Sequence, residues 1–598
     1  MYRLAWRALA LKFSARGLSL LAPLSVSLVI APAVAGEFAI VALSGQPSPD
    51  GNGNLVSFTM PALNDAGQVA FLSQLSDTNN DPDDNIALYR GAAASLTVVA
   101  RKGVTQVDTN PVASFANNNP AINAAGTVSH SATLTSPTEM IAFLGGSGPI
   151  TVLPRIGTAS TPGENNQLVN RSLPVLNNAG VAAYRATYSG VDFQTGIYSR
   201  AADDIITTRL LEGGTAPNGG MILSIASSLP TLNESAQIAL TASVDDDLFT
   251  HKAALRLDGT TVVELARDGD DATNAATSID NILSTALPLN DSGQVAFAAL
   301  YTQPAALSKQ GVFRADDSGA TLIAPSLLPG SATAATNIRL AAINNAGKVA
   351  FATEFAGSGD LLSGIYLADT GTPTLVALED TVVPGGGKFF RRFLGESISL
   401  NNAGQLAFVA ELSDSANGPA AGRGLYLYSP LAGLQQIIRT GESFAGGTLA
   451  GFGFTGAAYS MTQAADVNQS PDPNFSGLNG AGQLAFNFSI SGASGIAIWS
   501  DPSAPVLGDY NHNGVVDAAD YTVWRNSLGQ AGANLVADGN GNNQIDSDDY
   551  TVWKSNFGEP GGSGAGASAG AAVPEPTAAV LIILGILAVC CGRRAVVL

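Results

Sequence analysis

Residues 63–71 read LNDAGQVAF, and the same nine-residue pattern returns along most of the 598-residue chain. Its cognates are INAAGTVSH (122–130), LNNAGVAAY (176–184), LNESAQIAL (232–240), LNDSGQVAF (289–297), INNAGKVAF (343–351), LNNAGQLAF (400–408) and LNGAGQLAF (478–486). The asparagines are Asn64, Asn123, Asn177, Asn233, Asn290, Asn344, Asn401 and Asn479; six of the seven intervals between them lie between 54 and 59 residues. The last is 78, lengthened by an insertion around GFGFTGAAYSMTQAADVNQSPDPNF. A fixed period of this length marks a repeat architecture.

Each unit reads as four short strands. In the seventh, GESISLN leads into a turn, followed by QLAFVAEL, RGLYLYS and LQQIIRTGE. Asn and Gly suit the turn, because both tolerate positive φ and Asn can bond its own backbone. Leu406, Phe408, Ala410 and Leu412 fall on one face of the second strand, with Ala407 and Val409 on the other. Both faces are apolar, so both must be covered. Radially stacked four-stranded blades provide that cover.

The phase of the repeat bears on closure. FAIVALSGQ (38–46) aligns with LTVVARKG (96–103), the fourth strand of a unit, whereas the last unit stops after its third strand at GIAIWSDPSAP. The first strand of the mature chain therefore completes the last unit, which leaves no ragged edge. The sequence predicts an all-β, eight-bladed β-propeller over 36–503; an open β array or two smaller propellers would share the repeat. These units resemble the choice-of-anchor tandem repeat NxxGxxAF proteins, a resemblance that implies an exported surface protein without an assigned activity. Units two and four depart from the pattern, with His130 in place of Phe, and Ala236 and Leu240 in place of Gly and Phe. His130 is then a binding residue, a residue at a solvated blade edge, or a hydrogen-bonded core residue.

Both ends read as processing signals. Arg3, Arg7, Lys12 and Arg16 precede an apolar run that ends at Ala33-Val34-Ala35, the pattern of a signal peptide over 1–35; an N-terminal anchor is the alternative. Residues 561–572 form a Gly/Ser/Ala linker. Val573-Pro574-Glu575-Pro576, an apolar run from Ala578 to Cys591, and Arg593-Arg594 follow. This end, 573–598, resembles a PEP-CTERM sorting signal. The resemblance implies transient membrane insertion of a hydrophobic helix, removal by an exosortase-type transpeptidase, and a mature protein at the cell surface or outside the cell. A permanent transmembrane anchor is the alternative.

Composition narrows the function. Charged residues are only 13% of the chain and the net charge is −20, which argues against a nucleic-acid partner. Cys590 and Cys591 are the only cysteines, so the body of the protein has neither a disulfide framework nor a cysteine zinc site. No catalytic constellation is apparent. Asp245-Asp246-Asp247 reads as a solvated loop. Arg391-Arg392, in GGGKFFRRF, makes a small basic and aromatic patch in what reads as a loop of the repeat, with an acidic ligand or a polysaccharide as its functional reading.

One segment stands apart. GDYNHNGVVDAADYTVWRNSLG, from Gly508, is nearly repeated by ADGNGNNQIDSDDYTVWKSNFG, from Ala537. The first copy places Asp509, Asn511, Asn513, Val515 (by its carbonyl), Asp517 and Asp520 at positions 1, 3, 5, 7, 9 and 12 of a calcium loop, with Gly514 at the turn. The second places Asp538, Asn540, Asn542, Gln544 (by its carbonyl), Asp546 and Asp549, with Asn543 at the turn. Oxygen-only ligands favour Ca²⁺ over zinc, and two ions are expected. A helix follows each loop, with Tyr521, Trp524 and Leu528 on one face and Tyr550, Trp553 and Phe557 on the other helix's matching face. Residues 505–560 resemble a type I dockerin, a small α-helical calcium-binding module. That implies a cohesin-like partner, contacted through Ala518-Ala519 or Ser547-Asp548. The favoured reading is a non-catalytic exported scaffold or interaction protein. An extracellular polysaccharide-binding or polysaccharide-degrading protein, or a component of a cohesin–dockerin assembly, is the alternative.

Overall fold

The computed structural model describes residues 36–558 apart from 93–94, 117–118, 136–137, 147, 154–166, 173, 190–193, 202–204, 227–228, 247–248, 275–276, 285, 305–306, 356–361, 431, 457–475, 502–507, 512–514, 533–534 and 540–543. The expected signal peptide, linker and sorting signal lie outside the described residues.

Residues 37–500 form eight antiparallel sheets of four principal strands each, an all-β eight-bladed propeller. The first strand, β1 (Glu37–Leu43), takes no part in the first blade. That blade runs β2 (Asn54–Phe58), β4 (Val69–Ser76), β5 (Ile86–Ala92) and β6 (Ser95–Arg101), with the two-residue β3 (Ala62–Leu63) continuing the line of β2 along β4. β3 touches its cognate Ala121–Ile122 in the next blade, which touches Val175–Leu176, which touches Thr231–Leu232. The first strands therefore gather around a common axis and the later strands radiate from it.

The ring closes as the repeat phase predicts. β1 is the outer strand of the eighth blade, antiparallel to Ala493–Ser500, with Phe38 opposite Trp499 and Ile40 opposite Ala497. Leu484–Ile490 and Gly447–Phe454 complete that blade. Strands from both ends thus share one sheet.

The repeated motif has a packing reason at each position. The glycine of the turn adopts positive φ in seven blades, at 70° for Gly67 and 74° for Gly404. The following strand is buried on both faces. Leu406, Phe408, Ala410 and Leu412 join a core with Ile365 and Leu367 of the preceding blade. Ala407 and Val409 join another with Leu484 and Phe486 of the last. The motif aromatic stacks on an aromatic of the adjacent strand: Phe71 on Tyr89 at 5.6 Å, Phe297 on Phe313, Phe351 on Tyr366 and Phe408 on Tyr426 at 5.5 Å. Such a pair adds about 0.5–1.5 kcal/mol beyond the area it buries.

The departures are accommodated. Ala236 keeps the left-handed turn, at φ 57°. His130 lies in the core between Phe115 and Phe143, not at a solvated edge. Burial lowers its pKa to about 4. Arg391 and Arg392 are also placed differently from expectation. They belong to the strand Phe389–Leu400, because a register shift in that strand carries the pattern through them.

Candidate functional site

The eight motif asparagines are all buried, and their side chains form a closed ring. Each donates its Nδ2–H to the backbone carbonyl of the next: Asn64 to Asn123 at 2.9 Å, Asn123 to Asn177 at 3.1 Å, Asn177 to Asn233 and Asn233 to Asn290 at 3.0 Å. Asn290 to Asn344 follows at 2.9 Å, Asn344 to Asn401 at 3.2 Å, Asn401 to Asn479 at 3.0 Å, and Asn479 back to Asn64 at 3.0 Å. Each Oδ1 accepts the backbone N–H four residues on, as Asn64 does from Gln68 at 2.8 Å and Asn290 from Gln294 at 2.9 Å. Asparagine alone supplies this combination of local acceptor and outward donor at this length.

A second ring is built one residue later. The backbone N–H of Asn178 reaches Glu234, that of Glu234 reaches Asp291 at 2.9 Å, that of Asp291 reaches Asn345 at 3.0 Å, and that of Asn345 reaches Asn402 at 2.9 Å. Gly480 N–H reaches Asp65 at 2.7 Å and Ala124 N–H reaches Asn178 at 2.7 Å. Ala124 and Gly480 offer no side-chain acceptor, so the pattern is interrupted after Asp65 and Asn402. Asp65, Glu234 and Asp291 make this end of the axis acidic. Desolvation, then the nearby charge of Asp291 and that of Asp65, push Glu234 up to about 7.

The doubled segment folds as two matching halves. α1 (Ala518–Ser527) and α2 (Ser547–Asn556) begin with reciprocal capping boxes, in which Asp517 pairs with Asp520 and Asp546 with Asp549. These side chains take several of the orphan amides of each helix start. Asp520 is wholly buried, accepting the N–H of Asn511 at 2.9 Å and of Asp517 at 2.8 Å. Asp549 is equally buried and accepts those of Gly539 at 2.7 Å and Asp546 at 2.8 Å. Each half then reaches into the other: Trp524 Nε1 donates to the carbonyl of Asp546 at 2.7 Å, and Trp553 Nε1 to that of Asp517 at 2.8 Å. Gly529 N–H to Ile545 and Gly558 N–H to Val516, both at 2.8 Å, repeat the exchange. Tyr510, Val516, Ala537, Ile545 and Trp553 form the core, with Tyr521, Trp524 and Tyr550 packed on it.

The predicted ligands divide as follows. Asp509, Asn511, Val515, Asp517, Asp520, Asp538, Gln544, Asp546 and Asp549 are described; Asn513, Asn540 and Asn542 lie outside the described residues. Tyr510 brings acids of both loops together. Its hydroxyl donates to the carbonyl of Asp549 at 2.6 Å, and burial, then the charges of Asp549, Asp538 and Asp520, push its pKa up. Buried carboxylates held by oxygen-rich loops suit a hard divalent cation. Among the described residues no three His, Cys, Asp or Glu side chains are grouped as a metal site. Phe557 packs edge-on against Trp553 at 5.1 Å, as the spacing predicts, although it and Leu528 lie at the ends of their helices. Both cap their helices rather than extend them, and are 52% and 44% exposed. Among the described residues no helix is long and apolar enough to cross a membrane; the expected tail helix lies outside them.

A family model matches residues 23–326, 191–363 and 326–505, together the span of the propeller. The chain belongs to that family, a family of unknown function (DUF7453). The DUF7453 match ends at 505, before the doubled loops. None of the curated proteins matches the sequence. Among solved structures, the β-propeller domain of the Trilobed protease from Pyrococcus furiosus is 9% identical, covering 64% of this chain and 98% of that one at a TM-score of 0.33. A puromycin hydrolase is 13% identical, over 63% of this chain and 53% of that one, at 0.34. The lectin of Aleuria aurantia is 12% identical, over 57% and 95%, at 0.21.

Proposed function

We propose that the chain is an exported, surface-sorted interaction or scaffold protein, in which a non-catalytic propeller is coupled to a calcium-dependent docking module. The observation that carries this reading is the exchange of indole bonds between Trp524 and Asp546 and between Trp553 and Asp517. Each half-unit is a loop and a ten-residue helix, too short to be stable alone. Paired, the halves share one aromatic core and set two acidic loops side by side. Asp509, Asp517 and Asp520 would hold one Ca²⁺, and Asp538, Asp546 and Asp549 the other, with the asparagine and carbonyl oxygens between them. Bound calcium supplies the positive charge that lets these carboxylates lie close together.

The similarity to a type I dockerin makes a cohesin-like protein the partner. Ala518-Ala519 and Ser547-Asp548 differ between the halves, so one orientation of binding is favoured over two equivalent ones. The PEP-CTERM-like tail makes an exosortase-type transpeptidase the processing partner. Mass spectrometry of surface-extracted protein tests this; a majority of molecules that retain Cys590 and Cys591 contradicts it.

The docking module is tested by chelating the purified chain, titrating calcium back, and following tryptophan fluorescence together with capture on an immobilised cohesin domain. Two-site calcium binding that restores both signals is expected. A fluorescence signal indifferent to calcium overturns the module, whereas calcium binding without capture overturns only the partner.

A further inference from the structure

Blades four and five carry exposed apolar side chains at the same place in the repeat. In blade five Tyr301 pairs with Lys309, and Leu307 stands two residues before that lysine at the hairpin tip. In blade four Val244 pairs with His251, and Phe249 stands two residues before that histidine. Phe249 is 74% exposed and Leu307 87%. The inner strands of the two blades, Met221–Ile225 and Ser278–Ile282, are bulged at the same step. The bulged residue is Leu223 in blade four and Asp280 in blade five; both are exposed, as is Met221.

Hydrogen bonds fix these pieces beside one another. Asp280 accepts from Thr302 Oγ1 at 3.0 Å and from Ser308 Oγ, next to Leu307, at 2.6 Å. Lys252, three residues after Phe249, donates its Nζ–H to the carbonyl of Ile282, two residues after Asp280, at 2.8 Å. The hairpins of blades four and five thus flank the strand that holds Asp280, and Asp271 pairs with Ser278 at the start of that strand. The stretches 221–225, 245–252, 264–282 and 302–309 carry eight carboxylates against Lys252, Arg267 and Lys309. Arg267 is shared by Glu264, Asp270 and Asp246 at 3.2, 3.7 and 3.8 Å. Among the described residues neither Asp271 nor Asp280, both exposed, has an ion-pair partner. Single exposed apolar side chains are ordinary, but four in adjacent blades around a carboxylate without a cation have the composition of an interface.

We propose that Met221, Leu223, Phe249 and Leu307 form the docking surface for a basic amphipathic segment of a partner protein, whose apolar side chains cover these four and whose Lys or Arg pairs with Asp280 and Asp271. Charge selects this occupant, since a second copy of this chain, at net charge −20, would bring like charge to the same face. The proposal rests on the reading of the chain as an interaction protein, but not on its calcium loops.

The test is titration calorimetry of the full chain with synthetic peptides of equal length: alternating Leu and Lys, alternating Leu and Glu, and alternating Ser and Lys. The Leu–Lys peptide is expected to bind about tenfold or more tightly than either of the others. Phe249→Ser with Leu307→Ser should lower that affinity about tenfold. Asp271→Asn with Asp280→Asn should lower it and flatten its dependence on salt. Melting temperatures should be unchanged in both pairs. Ile205→Ser, at an exposed apolar residue between the outer two strands of blade three, should bind like the parent. The surface is overturned if the Leu–Lys peptide binds no better than the other two, if the Ser pair binds like the parent, or if Ile205→Ser loses as much as that pair. It is also overturned if phosphatidylcholine vesicles bind the chain and displace the peptide, which would assign these side chains to a membrane. Every variant lies in the propeller, so failure of calcium binding or of cohesin capture leaves this result standing.

Discussion

The side-chain amide of Asn479 donates to the backbone carbonyl of Asn64, 415 residues earlier in the chain, at 3.0 Å. It is the eighth identical bond of the axial ring, and it joins the last repeat to the first. A hydrogen bond that every blade makes with its successor ties the blades into one cooperative unit.

Asn290 is the natural place to test the ring. It donates to Asn344 and to Gln294 Oε1, and accepts from Gln294 N–H. Asn290→Ala removes all three and leaves buried groups unpaired, a loss of about 2–3 kcal/mol. Asn290→Asp keeps the acceptor but not the donor and should fare no better. Chemical denaturation of both variants reads the loss directly.

Ala236 is expected to respond in the opposite direction. It holds a left-handed turn that glycine holds in the other blades, and Ala236→Gly should stabilise by about 0.5–1 kcal/mol. The reverse change, Gly293→Ala, places a Cβ 2.9 Å from Arg256 Nη1 and 3.1 Å from Gln237 Oε1 and should destabilise. Blade three has Ser199 and Val181 at the register positions that Arg256 and Gln237 hold in blade four, so the groups that would crowd a Cβ at Gly293 have no counterpart before Ala236. Thermal melts of the two variants should move to opposite sides of the parent.

Glu234 links the axis to pH. Its pKa is raised to about 7, so the folded state holds a proton that the unfolded chain releases nearer 4.5. Its favourable contribution is complete below about 4.5 and is lost as pH rises through 7. Glu234 is exposed to solvent, so screening keeps the effect small: Glu234→Gln should raise the melting temperature slightly at pH 8 and leave it unchanged at pH 4. A gain of equal size at both pH values would contradict this.

His130 works the other way. Its folded pKa of about 4 lies below the ordinary 6.5. The contribution of the neutral ring is complete above 6.5 and is lost as pH falls through 4, on the order of 3 kcal/mol in all. His130→Phe, which restores the aromatic of most other blades, should abolish that loss. The measurement is the stability difference between variant and parent across pH 4 to 7.

The blade count and the shared last blade are legible in the sequence, because both follow from spacing and phase alone. The alternation in 405–412 likewise reveals two covered faces. The purpose of the asparagine is not legible, since its donor finds a partner at least 54 residues away and no single repeat contains both ends of the bond. Arg391 and Arg392 look like loop residues because the strand that holds them is irregular at that point. Leu528 continues the helical spacing, yet the chain leaves the helix there and the side chain is half exposed, so spacing overstates the apolar face in the first half. The calcium reading of the acidic loops rests on spacing alone, and the spacing does not reveal that Asp517, Asp520, Asp546 and Asp549 also cap the two helices. The crossing of Trp524 and Trp553 between halves becomes visible only in three dimensions.

The pairing of β1 with Ala493–Ser500 also sets a timetable. The first strand of the propeller waits for its last. Seven blades can assemble in order as they are made, but the eighth needs both ends of the chain. Until residue 500 is available the N-terminal strand, with Phe38 and Ile40 along it, has no partner. A partly synthesised chain therefore carries an open apolar edge, exposed to its neighbours until the circle is complete.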